Sequence, residues 1–222
     1  MRNWPFPFFL GGVRVEAMEH SSDDILIAQL HLRLGRTVLE AQIYWPPRPL
    51  LPVAASLVVL LADEARPYSP DLLGRGLSAG AEVVVLRVPD RAQTLAALMW
   101  AADHAHELEG QRDRLMVAGG GVSGARAARL AMIARDNGWP VLQRQVLVHP
   151  RFTIACPPPS RLLGVAAATI VSGSGPQDAA TRYAARLKRG GVEVVELRQR
   201  DDDEPQMIAD LARSLQTKGS IA

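Results

Sequence analysis

Five apolar residues in unbroken succession, Leu57-Val58-Val59-Leu60-Leu61, constrain this chain more than any other feature. A strand with one wet face alternates polar and apolar side chains. An uninterrupted run therefore belongs to a strand covered on both faces, the usual setting of a parallel sheet. Further strand patterns follow at Glu82–Leu86, Arg114–Ala118, Val141–Val148, Ala167–Ser172 and Val192–Leu197. Helix patterns separate them. Ser69-Pro70-Asp71 opens one that runs to about Ala79, with serine as N-cap, proline at the first helical position and Gly80 as terminator. Asp90-Arg91-Ala92-Gln93 has the form of a capping box ahead of Leu95, Leu98, Met99 and Ala102. A third helix spans about Val122 to Asp136 and closes on Asn137-Gly138. A fourth covers Asp178 to Arg189, and Asp203-Glu204-Pro205 opens the last.

Ahead of these units, Ile25–Leu34 and Thr37–Trp45 read as two strands joined at the tight connection Gly35-Arg36. An antiparallel pair followed by repeated strand–helix units predicts an α/β fold with a doubly wound, mainly parallel sheet and helices on both faces. Residues 1–222 read as one domain, with 1–23 as an N-terminal extension.

Composition narrows the function classes. The 48% hydrophobic content supplies a sizeable core, and a net charge of +2 with dispersed arginines gives no nucleic-acid footprint. Cys156, the single cysteine, excludes an internal disulfide and any multi-cysteine metal site. It reads as a small buried hydrophobe. The stretch Trp4–Leu10 is apolar but short and broken by prolines, so neither a signal peptide nor a membrane span is expected. The expectation is a cytoplasmic protein without cofactor, metal or membrane.

Several stretches resemble the hormone-sensitive-lipase-like carboxylesterases of the α/β-hydrolase family. Glu40–Pro47 resembles the family's second strand, which ends in a Tyr-x-Pro phrase, here Tyr44-Trp45-Pro46. Leu98–Ala102 and Asp113–Gly119 resemble the helix and strand leading to the nucleophile, and Gln145–Pro150 the following strand. Tyr183–Leu187 with Lys188–Val192 resembles the penultimate helix and the approach to the last strand. The likeness covers roughly residues 37–216. It implies an α/β-hydrolase fold, with only the short stretch Arg151–Val165 where such enzymes carry a lid.

The resemblance also locates the chemistry. Its nucleophile sits in a strained strand–turn–helix elbow of the form small-x-Ser-x-small. Aligned without gaps, the elbow here is Gly119-Gly120-Gly121-Val122-Ser123-Gly124, which puts Gly121 at the serine position. Glycine has no nucleophile. A shifted elbow, Gly121-Val122-Ser123-Gly124-Ala125, would place Ser123 in that role, whereas a serine near a helix start also serves simply to satisfy a backbone amide. The same glycines spell Gly119-x-Gly121-x-x-Gly124, a nucleotide-binding spacing, although the next strand ends at His149 without an acid for a ribose.

The partners of a nucleophile are missing too. The family's acid position falls on Ser174, with Asp178 better placed in the first turn of a helix. No histidine occurs after His149, which closes a strand and reads either as structural or as a repositioned base. Where the family carries His-Gly-Gly-Gly for the oxyanion, this chain has Ala62-Asp63-Glu64-Ala65. The expectation is a catalytically inactive relative acting as a binding or interaction subunit. Its partner would be an active relative, a second copy in a homodimer, or a small apolar ligand. The alternatives are an active esterase using Ser123 with His149, and a nucleotide-binding enzyme using the glycine turn.

Overall fold

The computed structural model describes residues 9–10, 13–20, 25–47, 55–63, 69–90, 93–153, 156–173, 178–199 and 203–216. Its strands are β1 (Phe9–Leu10), β2 (Val13–His20), β3 (Leu26–Leu34), β4 (Thr37–Trp45), β5 (Ala55–Ala62), β6 (Val84–Pro89), β7 (Gly110–Gly120), β8 (Arg144–Val148), β9 (Ala167–Ser172) and β10 (Val194–Arg198). Its helices are α1 (Pro70–Ala81), α2 (Thr94–Asp103), α3 (Gly121–Asn137), α4 (Ala179–Arg189) and α5 (Glu204–Gln216).

One sheet contains all ten strands, in the order β1-β2-β3-β4-β6-β5-β7-β8-β9-β10. The strands from β1 to β4 pair antiparallel, and β4 meets β6 antiparallel. From β6 onward every pairing is parallel. The apolar runs at Leu57–Leu61 and in β6 are thus neighbours, as a doubly wound sheet requires. The strand pattern begins earlier than expected. Residues 13–20, which fall inside the expected 1–23 extension, form a strand hydrogen-bonded to β3, with a register shift between Val15 and Ala17.

The run at Leu57–Leu61 feeds two cores by alternation. Leu57, Val59 and Leu61 face a layer built from Ala97 and Leu98 of α2, Ala127 and Leu130 of α3, and Tyr183 of α4. Val58 and Leu60 face Leu73 and Leu77 of α1 with Ile208 and Leu211 of α5. Each such leucine or valine contributes about 1.5–3 kcal/mol on leaving water. Both faces of the strand are paid for this way, which is why it tolerates no polar residue.

Two helix signals work differently from their sequence reading. Gly80 does not terminate α1, which ends instead at Glu82 in a left-handed conformation with φ of 54°. Gly80 and Gly76 serve as contact points for α5: a Cβ on Gly80 would lie 2.8 Å from Cβ of Ala212, and one on Gly76 would lie 2.2 Å from Cγ2 of Ile208. Ser69 does cap α1, its side chain accepting from the Leu72 amide. Asp90, by contrast, does not stand at the start of α2. The residue ahead of α2 is Gln93, which makes no side-chain cap.

The connection from β8 to β9, where a lid would be inserted, holds a single 3-10 turn at Pro159–Arg161 among the described residues. It is pinned to the body. Phe152 packs on Tyr183 at 4.8 Å between ring centroids, and Arg186 donates to the Cys156 and Pro157 carbonyls. Arg135 donates to the carbonyls of Arg161 and Leu163, each at 2.8 Å. No helix among the described residues is long and apolar enough to cross a membrane.

Candidate functional site

Parallel strands deliver their carboxyl ends to one edge, and the β7–α3 junction stands in the middle of that edge. The backbone there is a sharp elbow. Gly120 is extended, with φ of −111° and ψ of 151°, and Gly121 turns at φ of +56° to begin α3. The turn is tight enough to forbid side chains beside it. A Cβ on Gly119 would lie 2.5 Å from the Ser123 carbonyl oxygen, and one on Gly124 would lie 2.9 Å from the Gly119 oxygen and 3.2 Å from Cα of Pro150. These contacts account for the glycine spacing through packing of strand against helix. At Gly121 itself a Cβ would meet nothing within 4 Å. The elbow therefore keeps open space at the position aligned with a nucleophile, and puts no side chain in it.

Ser123 lies two residues further, within the first turn of α3, and is 1% exposed. Its hydroxyl donates to Oδ2 of Asp90 at 2.7 Å. The other oxygen of that carboxylate takes the Arg126 guanidinium at 2.6 Å, and the Asp90 side chain is only 3% exposed. Ser123 thus ties α3 to the end of β6. Its partner is a side-chain carboxylate and not a backbone amide. The Asp90–Ser123–Arg126 cluster escaped sequence reading because Asp90 matches a capping box that the fold does not use.

His149 follows β8 in a left-handed conformation, φ of +43°, which a residue with a side chain adopts only when its surroundings hold it there. Its amide donates to the Val171 carbonyl at 2.9 Å, and its Nε2 lies 2.6 Å from Oε1 of Gln199, just beyond β10. The ring therefore occupies the sheet edge in front of β9 and β10. Immediately after it, the Arg151 amide donates to the Gly121 carbonyl at 2.8 Å, bringing this segment against the elbow. His149 bonds Gln199 while Ser123 bonds Asp90, and no hydrogen bond joins the two candidates.

The remaining positions are of mixed visibility. Ser174 lies outside the described residues, as do Glu64 and Ala65 of the oxyanion segment. Asp178 caps α4 and also accepts from the Gly173 amide at 3.1 Å, the helix-start use expected of it. Among the described residues no three His, Cys, Asp or Glu side chains gather as a metal site would require. Burial pushes the Cys156 thiol up, with Arg186 opposing, which suits a packed side chain better than a nucleophile.

No family model matches the chain. The carboxylesterase NlhH of Mycobacterium tuberculosis is 31% identical to it over 133 residues, which cover 52% of this chain and 40% of that enzyme. The match thus takes in less than half of the relative's length. Among solved structures, a thermostable esterase from Pseudomonas putida superposes with a TM-score of 0.76 at 16% identity, covering 92% of this chain and 86% of that one. The hyperthermophilic esterase of Pyrobaculum calidifontis gives 0.73 at 18% identity, covering 87% and 83%. The thermophilic carboxylesterase EstE1 from a metagenomic library gives 0.71 at 21% identity, covering 86% and 88%.

Proposed function

We propose that this chain, which has the α/β-hydrolase fold and matches part of a carboxylesterase in sequence, works at the same sheet edge as a ligand-binding relative that does not cleave esters. The observation that carries this reading is the elbow: the left-handed turn at Gly121 is present, with open space above it, and no oxygen nucleophile stands there. In an esterase that oxygen attacks the carbonyl carbon after an imidazole takes its proton, and amides around the developing oxyanion lower the barrier. Gly121 offers no side-chain oxygen, and the Ser123 hydroxyl donates its hydrogen bond to a carboxylate already bonded to Arg126.

A second reading is an active carboxylesterase that uses Ser123 with His149. The comparisons favour it over the first, since the relatives named above are esterases. His149 also supports it: a strained residue facing the carboxyl edge beside the elbow is placed as a repositioned base would be. It requires the helix start to reopen so that the Ser123 hydroxyl leaves Asp90 for the imidazole.

One experiment separates them. Purified protein is assayed on short p-nitrophenyl esters and treated with a fluorophosphonate probe, alongside Ser123→Ala. The first reading expects neither turnover above background nor labelling, in both proteins. Turnover and labelling that vanish in Ser123→Ala establish the second reading and remove the first.

A further inference from the structure

Along the outer side of α3 runs a groove of about 740 Å³, within the range of pockets that take small ligands. It starts at Val122, the residue after the elbow, and reaches Ile133, about 16 Å along the helix at its usual rise. The first turn of α2 and the segment after β8 complete it, through Leu95, Phe152 and Pro157. That segment is fixed by Arg151 to the elbow and by Phe152 to Tyr183, so this wall is formed before any ligand arrives.

The lining pairs two chemistries. Val122 is 40% exposed, and Met132 and Ile133 are only half-buried, which leaves apolar surface in water on a helix face. Between them stand Arg126 and Arg129, with Arg151 across the turn, and among the described residues no acidic side chain lines the groove. Arg126 is matched by Asp90. Arg129 and Arg151 carry no ion pair among the described residues, so two guanidinium groups beside an apolar trough are uncompensated. A neutral apolar ligand would leave that charge unanswered, and a hydrophilic anion would leave the trough wet. A planar carboxylate matches the guanidinium fork, and an alkyl chain matches the trough.

We propose that this groove binds a long-chain carboxylate, with its head group on Arg129 and Arg151 and its chain running on along Met132 and Ile133. The site is separate from any chemistry at Gly121 or Ser123 and stands whichever reading of the elbow holds.

Protein carrying ¹³C-methyl methionine, with the Met132 signal assigned through Met132→Leu, is titrated with dodecanoate below micelle formation. Dodecyltrimethylammonium, the same chain with the opposite charge, is the control. The expected result is a saturable Met132 shift with dodecanoate, and binding at least about tenfold weaker for the cation. Arg129→Gln/Arg151→Gln is expected to weaken dodecanoate by about tenfold or more, the loss of charge-assisted hydrogen bonds, with an unchanged Tm. Equal binding of the two amphiphiles, or undiminished binding in the double variant, would overturn the proposal. So would a Met132 shift seen only with anionic phospholipid vesicles. A ligand-free Met132 shift that grows with protein concentration, with a dimer in sedimentation that Val122→Asp dissolves, would assign the groove to a second copy and overturn it as well.

Discussion

Gly121 makes the left-handed turn of the elbow, and the hydroxyl two residues on belongs to Ser123. The free energies of the two positions can be tested separately. Ser123→Ala leaves Asp90 with Arg126 but without its buried hydroxyl donor, and should cost about 1–2 kcal/mol. In a domain of this size that lowers Tm by about 2–4 °C per kcal/mol, read by calorimetry. Asp90→Ala should cost more, because it strands both the Ser123 hydroxyl and the Arg126 charge. Gly121→Ser meets no steric obstacle, since the space is open, but its side chain must sit at φ of +56°. The left-handed region costs a residue with a Cβ about 1–2 kcal/mol, so a loss of that size without aggregation is expected. On the non-hydrolytic reading, Gly121→Ser should still show no esterase turnover, because the sequence aligns no acid, base or oxyanion phrase with it.

At the scale of elements, the α1–α5 contact sets two magnitudes against each other. Replacing a helical glycine by alanine favours the helix by about 1 kcal/mol. At Gly76 the new methyl would lie 2.2 Å from Cγ2 of Ile208, a branch at the root of that side chain that cannot swing aside alone. Overpacking of this kind costs about 1–3 kcal/mol, so Gly76→Ala should destabilise despite its propensity gain. Adding Ile208→Leu, which removes the branch at Cβ, should recover much of the loss in urea unfolding. No recovery would mean that the helices, rather than the two side chains, set the spacing. Tyr183 of α4 gives a pH test. Burial pushes its phenol far above 10, and its hydroxyl donates to Oε1 of Gln145 at 3.2 Å. An ionised phenol is then admitted only by the unfolded chain, where it titrates near 10. The stabilisation is complete below that pH and drains away as pH rises above it. Tyr183→Phe should therefore flatten the alkaline fall in stability, while costing about 1 kcal/mol at neutral pH.

At the scale of the molecule, β10 is the last strand of the sheet, and among the described residues nothing pairs with its outer edge. Such an edge is a template for a second copy, and the proposed assembly is a homodimer joined there. Sedimentation at micromolar concentration should show a dimer that Val194→Pro weakens, since the main-chain groups of alternate residues from Glu193 to Gln199 face β9 and proline at Val194 removes a donor from the other side. A monomer at that concentration removes the proposal. The connection between β8 and β9 bears on ligand access at the same scale. With its segment fastened by Arg135, Arg186 and Phe152, it walls one side of a groove in place of covering the elbow from above.

The sequence by itself determined the doubly wound sheet, because burial on both faces admits only apolar side chains and that demand is written locally in runs such as Leu57–Leu61. It also determined the elbow, since Gly119 and Gly124 are forced by backbone contacts within a few residues of each other. The strand at Val13–His20 was not legible, because its pairing with β3 is non-local and its pattern alone does not separate it from an extension. Nor was the fate of Asp90. Asp90 at the head of a capping-box pattern satisfied the local rule, yet its carboxylate takes Ser123 and Arg126, some thirty residues on. Only the tertiary structure could decide that, since it alone brings the end of β6 against the start of α3. The groove has the same origin: Arg129 and Arg151 are ordinary surface arginines in the chain, and come to line one groove with apolar side chains only where α3 and the segment after β8 fold together.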